Sequence, residues 1–368
     1  MRANNVLGII HAQAYDAALR ELTSIRTIGS VPFGSRYRLI DFPLSNMVNA
    51  GMTQVGVMTK DNYQSLMDHL GSGKPWDLAR KNDGMFLLPP YSDPNGAGAP
   101  DSRIDVMFNN IHFLERAPQE YVLMTDANYV ANIDYNDVFK CYEESGADIV
   151  DLYKKGPVPA IDNALALDIV DGAIKGASVA TPGEEAAYSF NMYLLRKDLL
   201  VSLLKDAVAH NVSSFEAYVV SGKLNHLKAV GYELTGYAEI IDSLQKYYDV
   251  SIALLGRDVA KDVFATPIYT KIADNVPATY GPDCDVSNAL VADGCIIDGT
   301  VENSILFRGV TVEAGAVVKN SILMQGTTIQ KNATVNAIIT DKNVTITKNK
   351  TLSGDAAYPV YITKKKTV

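Results

Sequence analysis

The chain has 368 residues, 47% hydrophobic and 20% charged, and a formal net charge of −9. Its length favours two or three domains, and its acidity argues against a nucleic-acid or anionic-membrane partner, which would need a clustered positive field. Three cysteines, Cys141, Cys284 and Cys295, form an odd set without metal-type spacing, so neither a disulfide framework nor a zinc site is expected, and a reducing cytoplasm is the natural location.

The first element is an apolar run at 6–10, too short for a signal peptide or a membrane span and read as a buried strand. Short apolar runs between amphipathic stretches predict further strands at 54–58, 121–125, 148–153, 165–170, 188–194 and 227–230. Amphipathic spacing predicts helices at 14–22, at 43–50 with Pro43 in its first turn and Gly51 past its end, and at 103–117. Strands alternating with helices imply a Rossmann-like α/β domain with a mixed, mostly parallel sheet over 1–255. A Pro/Gly-rich loop, "PPYSDPNGAGAP", covers 89–100, and 256–280 reads as a linker.

From 281 to 368 the helical pattern gives way to rows. "CIIDGTVENSILFRGVT", "VEAGAVVKNSILMQGTT" and "IQKNATVNAIITDKNVT" superpose at a 17-residue step. Val301, Val318 and Val335 then coincide, as do Val312, Ile329 and Ile346, and Ile305, Ile322 and Ile339. Such self-similarity marks a solenoid whose rows stack apolar positions inward. Hexapeptide left-handed parallel β-helices turn in about 18 residues, so each coil here has one tightened corner. The basic run Lys364, Lys365 and Lys366 is a solvated tail.

The first strand leads into a loop where nucleotide-binding α/β proteins place a glycine-rich phosphate cradle, yet no glycine occurs between Gly8 and Gly29. The block that follows, "VPFGSRYRLIDFPLSNMVNAGM", with "SLMDHLGSGKPWDL" and "LLPPY" downstream, resembles the ADP-glucose pyrophosphorylase (glucose-1-phosphate adenylyltransferase) family, and the losses described next resemble its GlgD-type regulatory subunits. The resemblance implies a nucleotidyltransferase domain joined to a left-handed β-helix. It implies a chemistry in which a glucose 1-phosphate oxygen attacks the α-phosphate of ATP, with Mg²⁺ held by carboxylates.

Carried over residue by residue, the family's loop glycines fall on Gln13, Ala14 and Asp16, and its loop arginine on Ala18. Arg26 is kept as a substrate-binding candidate, but the lysine that follows becomes Ile28. The small residues that press on the nucleotide base become Arg103 and Ile104. Asp126 matches a metal-binding aspartate and reads equally well as the cap of a strand-to-loop turn; the second metal carboxylate falls on Ile240, with Glu239 and Asp242 out of register. Ser189 matches a sugar-phosphate serine, although as a lone group it reads more simply as a strand residue, and the expected sugar-phosphate lysine is missing between Lys175 and Lys197.

Losing several such electrostatic groups, each worth ~10²–10³ in rate, implies a regulatory subunit that is inactive or weakly active, with Mg²⁺ needed only for residual activity. The expected partner is a catalytic paralogue, in a hetero-oligomer that the resemblance makes a tetramer. An active adenylyltransferase is the alternative, and a sugar-nucleotide sensor overlaps with the regulatory reading. A hexapeptide acyltransferase would need a histidine on the coils, but all five histidines precede them. Arg36, Tyr37, Arg38 and Asp41 are expected to brace the loop or to support packing beside a subunit contact.

Overall fold

The computed structural model describes residues 1–13, 16–89, 102–212, 214–216, 218 and 226–368, with backbone alone at 17 and 18. Ala14 and nearly all of the Pro/Gly-rich loop lie outside the described residues.

The first domain is built on a nine-stranded sheet: β1 (Val6–His11), β2 (Gln54–Met58), β3 (Gly84–Leu88), β4 (Tyr121–Asp126), β5 (Ile149–Pro157), β6 (Leu165–Val170), β7 (Ala173–Val179), β8 (Glu185–Arg196) and β9 (Ala229–Glu233). Their spatial order is β3-β2-β1-β4-β8-β5-β9-β7-β6. Strands β3, β2, β1 and β4 run parallel, and β8 is inserted antiparallel between β4 and β5. The alternation in β1 sorts its side chains onto two cores: Val6 and Ile10 face one apolar cluster, Leu7 and Ile9 the other. Gly8 is needed for close packing, since a Cβ there would stand 2.6 Å from the Met47 sulfur on the helix Asp41–Asn49. That helix ends as its sequence predicts, with Gly51 at φ +96°.

Two predicted helices are shorter than their apolar spacing suggests. The segment 14–22 becomes a 3₁₀ turn, Asp16–Leu19, and one α-turn, Arg20–Thr23. The Thr23 hydroxyl bonds to the carbonyls of Asp16 (2.6 Å) and Leu19 (2.8 Å), competing with a regular ladder. The segment 103–117 breaks at Asn110 into Arg103–Asn109 and Ile111–Arg116, with the Asn110 amide bonding to the Val106 carbonyl. The linker is also shorter than the sequence suggests. Residues Arg257–Val263 form a helix, and Val263 is buried in the first domain's core.

The second domain is a parallel β-helix beginning at Thr279. Its three sides stack in register, at the predicted step everywhere but between Ile297 and Val312: Ile297, Val312, Ile329 and Ile346 on one, Val301, Val318, Val335 and Leu352 on the next, Leu306 and Leu323 on the third. All but the end-row Leu352 are fully buried in the helix interior. An asparagine ladder runs along one corner, Asn288 to Asn303 to Asn320 to Asn336, with amide bonds of 2.7–2.8 Å. Asn303 and Asn320 hold the tight left-handed backbone at this corner, a conformation asparagine tolerates.

One expectation about this domain is corrected. Ile305, Ile322 and Ile339 do not point inward. They are buried in the same cluster as the first domain's Phe33, Val31 and Tyr247, together with Phe307 and Met324, and so form the face on which the β-helix docks. The Tyr248 hydroxyl reinforces this contact by donating to the Asn320 carbonyl at 2.7 Å.

Candidate functional site

Strand order reverses between β1 and β4, and in open α/β sheets ligands bind beyond the carboxyl ends of the strands at such a switch point. The last residues of the two strands, His11 and Asp126, are register partners there. Both are buried, and so are the groups around them.

Arg103 opens its helix behind a capping box formed by Ser102 and Asp105, which aims the side chain back toward the sheet. Its guanidinium is ion-paired with Asp126 and, at 2.9 Å, with Glu216. Burial raises the Asp126 carboxyl to about 6 against the opposing pull of Arg103, while Glu216 pushes the same way as burial. Burial also pushes the His11 imidazole well below its ordinary value, and Arg103 adds to that effect; His11 is therefore neutral at physiological pH.

Ser189 stands on the next strands of the same cluster. Its hydroxyl donates to Asp151 at 2.7 Å and accepts from the Asn191 amide at 3.1 Å, beside a register shift in β8 where Asn191 takes φ +55°. Asp151 is 1% exposed, and burial holds its carboxyl well above the ordinary range despite the Ser189 bond. Ser189 thus serves the packing of the buried Asp151. Sequence reasoning missed Asp151 and Glu216. A carboxylate inside the apolar run 149–153 was the available signal for the former; nothing local marked the latter.

The loop positions are likewise taken up internally. The Asp16 carboxyl group accepts the Ile28 N–H at 2.8 Å, so this backbone donor is taken up within the chain. Burial raises Asp16 to about 7, opposed by that bond. Gln13 accepts the Lys60 N–H. Ile28 and Ile104 are fully buried core residues, the latter packed with Met107 and Leu114. Ile240 lies on the short strand Ala238–Ile240, paired with Tyr129, while Glu239 is held by Lys154 and Lys246 at 2.8 and 2.6 Å. The side chain of Ala18 lies outside the described residues.

Arg26 is placed elsewhere. It is 2% exposed, and its Nη2 donates to both oxygens of Asp341 in the β-helix at 2.7 and 2.8 Å. The structure therefore corrects its assignment from substrate-binding candidate to a tie between domains.

A Mg²⁺ ion does not fit this arrangement. Asp126 already carries a guanidinium, the second carboxylate position is an isoleucine, and among the described residues no three His, Cys, Asp or Glu side chains are grouped to hold a metal.

The 31–46 block braces a different feature. Gly34 and Ser35, both at positive φ, turn a hairpin between Pro32–Phe33 and Tyr37–Arg38. Buried Asp41 accepts the Arg38 N–H at 3.0 Å and contacts the His69 ring at 2.6 Å, while the Arg38 guanidinium goes to Ser65 rather than to Asp41. Next to this hairpin, between the domains, lies a cavity of about 230 Å³ lined by Arg36, Tyr37, Arg38, Lys271, Arg308 and Lys342. Burial, and secondarily the charges of Arg38 and Arg26, depresses Lys342 to about 7. In a chain of charge −9 this clustering gives the cavity a basic lining, with the Arg308 guanidinium paired to Asp293 at 3.2 Å.

The fold and the site thus define a nucleotidyltransferase-type α/β domain, with its switch-point crevice filled by its own side chains, docked on a hexapeptide-type β-helix. A nucleotidyl transferase family model matches residues 16–159, and a GlmU-like C-terminal hexapeptide model matches 273–358. The chain is 35% identical to the glycogen biosynthesis protein GlgD of Bacillus subtilis, over 85% of this chain and 82% of that one. It is 37% identical to the Geobacillus stearothermophilus GlgD, over 86% and 83%. A glucose-1-phosphate adenylyltransferase of the latter organism is 31% identical over 85% and 82%. The chain belongs to the family of GlgD proteins and glucose-1-phosphate adenylyltransferases. Among the described residues no helix is long and apolar enough to cross a membrane.

Proposed function

We propose that this chain is a cytoplasmic regulatory subunit in bacterial glycogen biosynthesis, non-catalytic or weakly active, which modulates a catalytic paralogue converting ATP and glucose 1-phosphate to ADP-glucose and pyrophosphate. The observation that carries this reading is the Arg103 guanidinium on Asp126 and Glu216, where catalysis would require a carboxylate free to meet a metal. Asp16 on the Ile28 amide and the buried Ile28 side chain support it. What is kept is the scaffold: the braced hairpin, the domain contact and the basic cavity between them.

A folded subunit without chemistry alters its neighbour if it contacts two conformations of that neighbour differently, and a coupling of ~1–3 kcal/mol changes affinity ~5–150-fold. The basic cavity is where a phosphorylated effector would bias such a change. The partner would be a catalytic adenylyltransferase subunit, in a hetero-oligomer that family resemblance makes a tetramer of two and two.

Pyrophosphate release should be measured for the purified chain, for the catalytic subunit and for their co-purified complex across effector concentrations. The chain alone should be inactive, and the complex should differ from the catalytic subunit in rate or effector response. Identical curves for complex and catalytic subunit would overturn the proposal.

A further inference from the structure

The disagreement between the metal chemistry of the family and the residues present here has a structural cause beyond simple loss. Asp126 still stands at the end of β4, at the switch point, with Glu216 near enough for both carboxylates to reach one cation. The cation that reaches them is a guanidinium. Arg103 is 9% exposed as a side chain, Asp126 3% and Glu216 10%, so the three charged groups lie together away from water. One loop away a second carboxyl is also engaged internally, Asp16 accepting the Ile28 N–H.

We propose that Arg103 acts as a tethered cation that holds the Asp126–Glu216 pair closed, so that the isolated chain excludes divalent cations from its crevice by occupation, while the carboxylates that could bind one persist beneath it. Burial favours this arrangement. Two carboxylates in a low-dielectric crevice need a counter-ion, and one built into the chain brings no water with it. Closure of this kind accounts for the retention of Asp126 in a chain whose other metal position is Ile240. It also assigns Glu216, which has no place in the chemistry implied by the sequence, a part in the lock.

The test is Mn²⁺ uptake by the full chain, followed by loss of the free-ion electron paramagnetic resonance signal. The parent should take up no Mn²⁺ at this site up to millimolar concentrations. Arg103→Met should gain one Mn²⁺ per chain, and Arg103→Met with Asp126→Asn should lose it again. A folded Arg103→Met that takes up none, or a parent whose Mn²⁺ uptake disappears in Asp126→Asn, overturns the proposal. Should Arg103→Met fail to fold, neutralising both carboxylates with Asp126→Asn and Glu216→Gln should restore folding; a triple variant as unfolded as the single one also overturns it. The lock rests on the same Arg103 pairs as the non-catalytic reading, but ion uptake by the isolated chain needs no partner: unchanged kinetics of the complex would leave the lock intact, whereas a parent that takes up Mn²⁺ through Asp126 would count against the non-catalytic reading as well.

Discussion

Removing the Arg26 guanidinium while leaving Asp341 in place should loosen the whole molecule. Both groups are 2% exposed, and one Arg26 nitrogen reaches both Asp341 oxygens. In Arg26→Met the carboxylate would keep the Tyr361 hydroxyl at 2.8 Å and the Lys342 N–H at 2.7 Å but lose its counter-ion. Stranding one partner of a buried pair costs ~3–5 kcal/mol. With an unfolding entropy of ~2.1 cal/mol/K per residue, a chain of 368 residues shifts by about 1.3 °C per kcal/mol, so the first unfolding transition should fall by roughly 4–6 °C. The double variant Arg26→Met/Asp341→Met should recover most of this loss, because Asp341 stands one repeat beyond Phe307 and Met324 and methionine there continues an apolar docking column. Calorimetry would read the transitions, and proteolysis between residues 266 and 278 would report separation of the domains. A single variant within ~1 kcal/mol of the parent, or a double variant no better than the single, would refute the assignment of this pair as the tie between domains.

Val318→Asp would place a carboxylate between fully buried Val301 and Val335, at several kcal/mol, and should unfold the β-helix; circular dichroism and co-elution like those of the parent would mean that the interior column is misassigned. Asp16 gives a pH dependence of definite sign. Its folded value of about 7 lies above the ordinary 3.8, so the folded state holds the proton more tightly, and the stability this confers is lost as pH rises from about 4 to 7, at up to ~1.4 kcal/mol per unit. Asp16→Asn keeps an acceptor for the Ile28 N–H and should flatten that slope, so urea midpoints of parent and variant that run parallel from pH 5 to 7 would count against it.

The residues themselves determined much of this protein. Short apolar runs located β1, β2 and β4 to within a residue, because a strand buried on both faces reads as a nearly continuous apolar stretch. The 17-residue step fixed which positions of the β-helix stack on which from Val312 onward, and the missing glycines and lysines raised the expectation of a crevice without phosphate-binding groups. What the sequence left open was which element covers each face. Ile305, Ile322 and Ile339 carry the same repeat as the interior valines, yet they face the first domain, since an apolar column records only that it is buried and not against what. Arg26 and Arg103 posed the same problem for charge. Their partners Asp341 and Glu216 lie far along the chain, in a second domain and beyond the end of the helix Lys197–Ala209, where local pattern carries no trace of the pairing. A buried ion pair is chosen by long-range packing that excludes water from both groups at once, and only the tertiary structure brings them together.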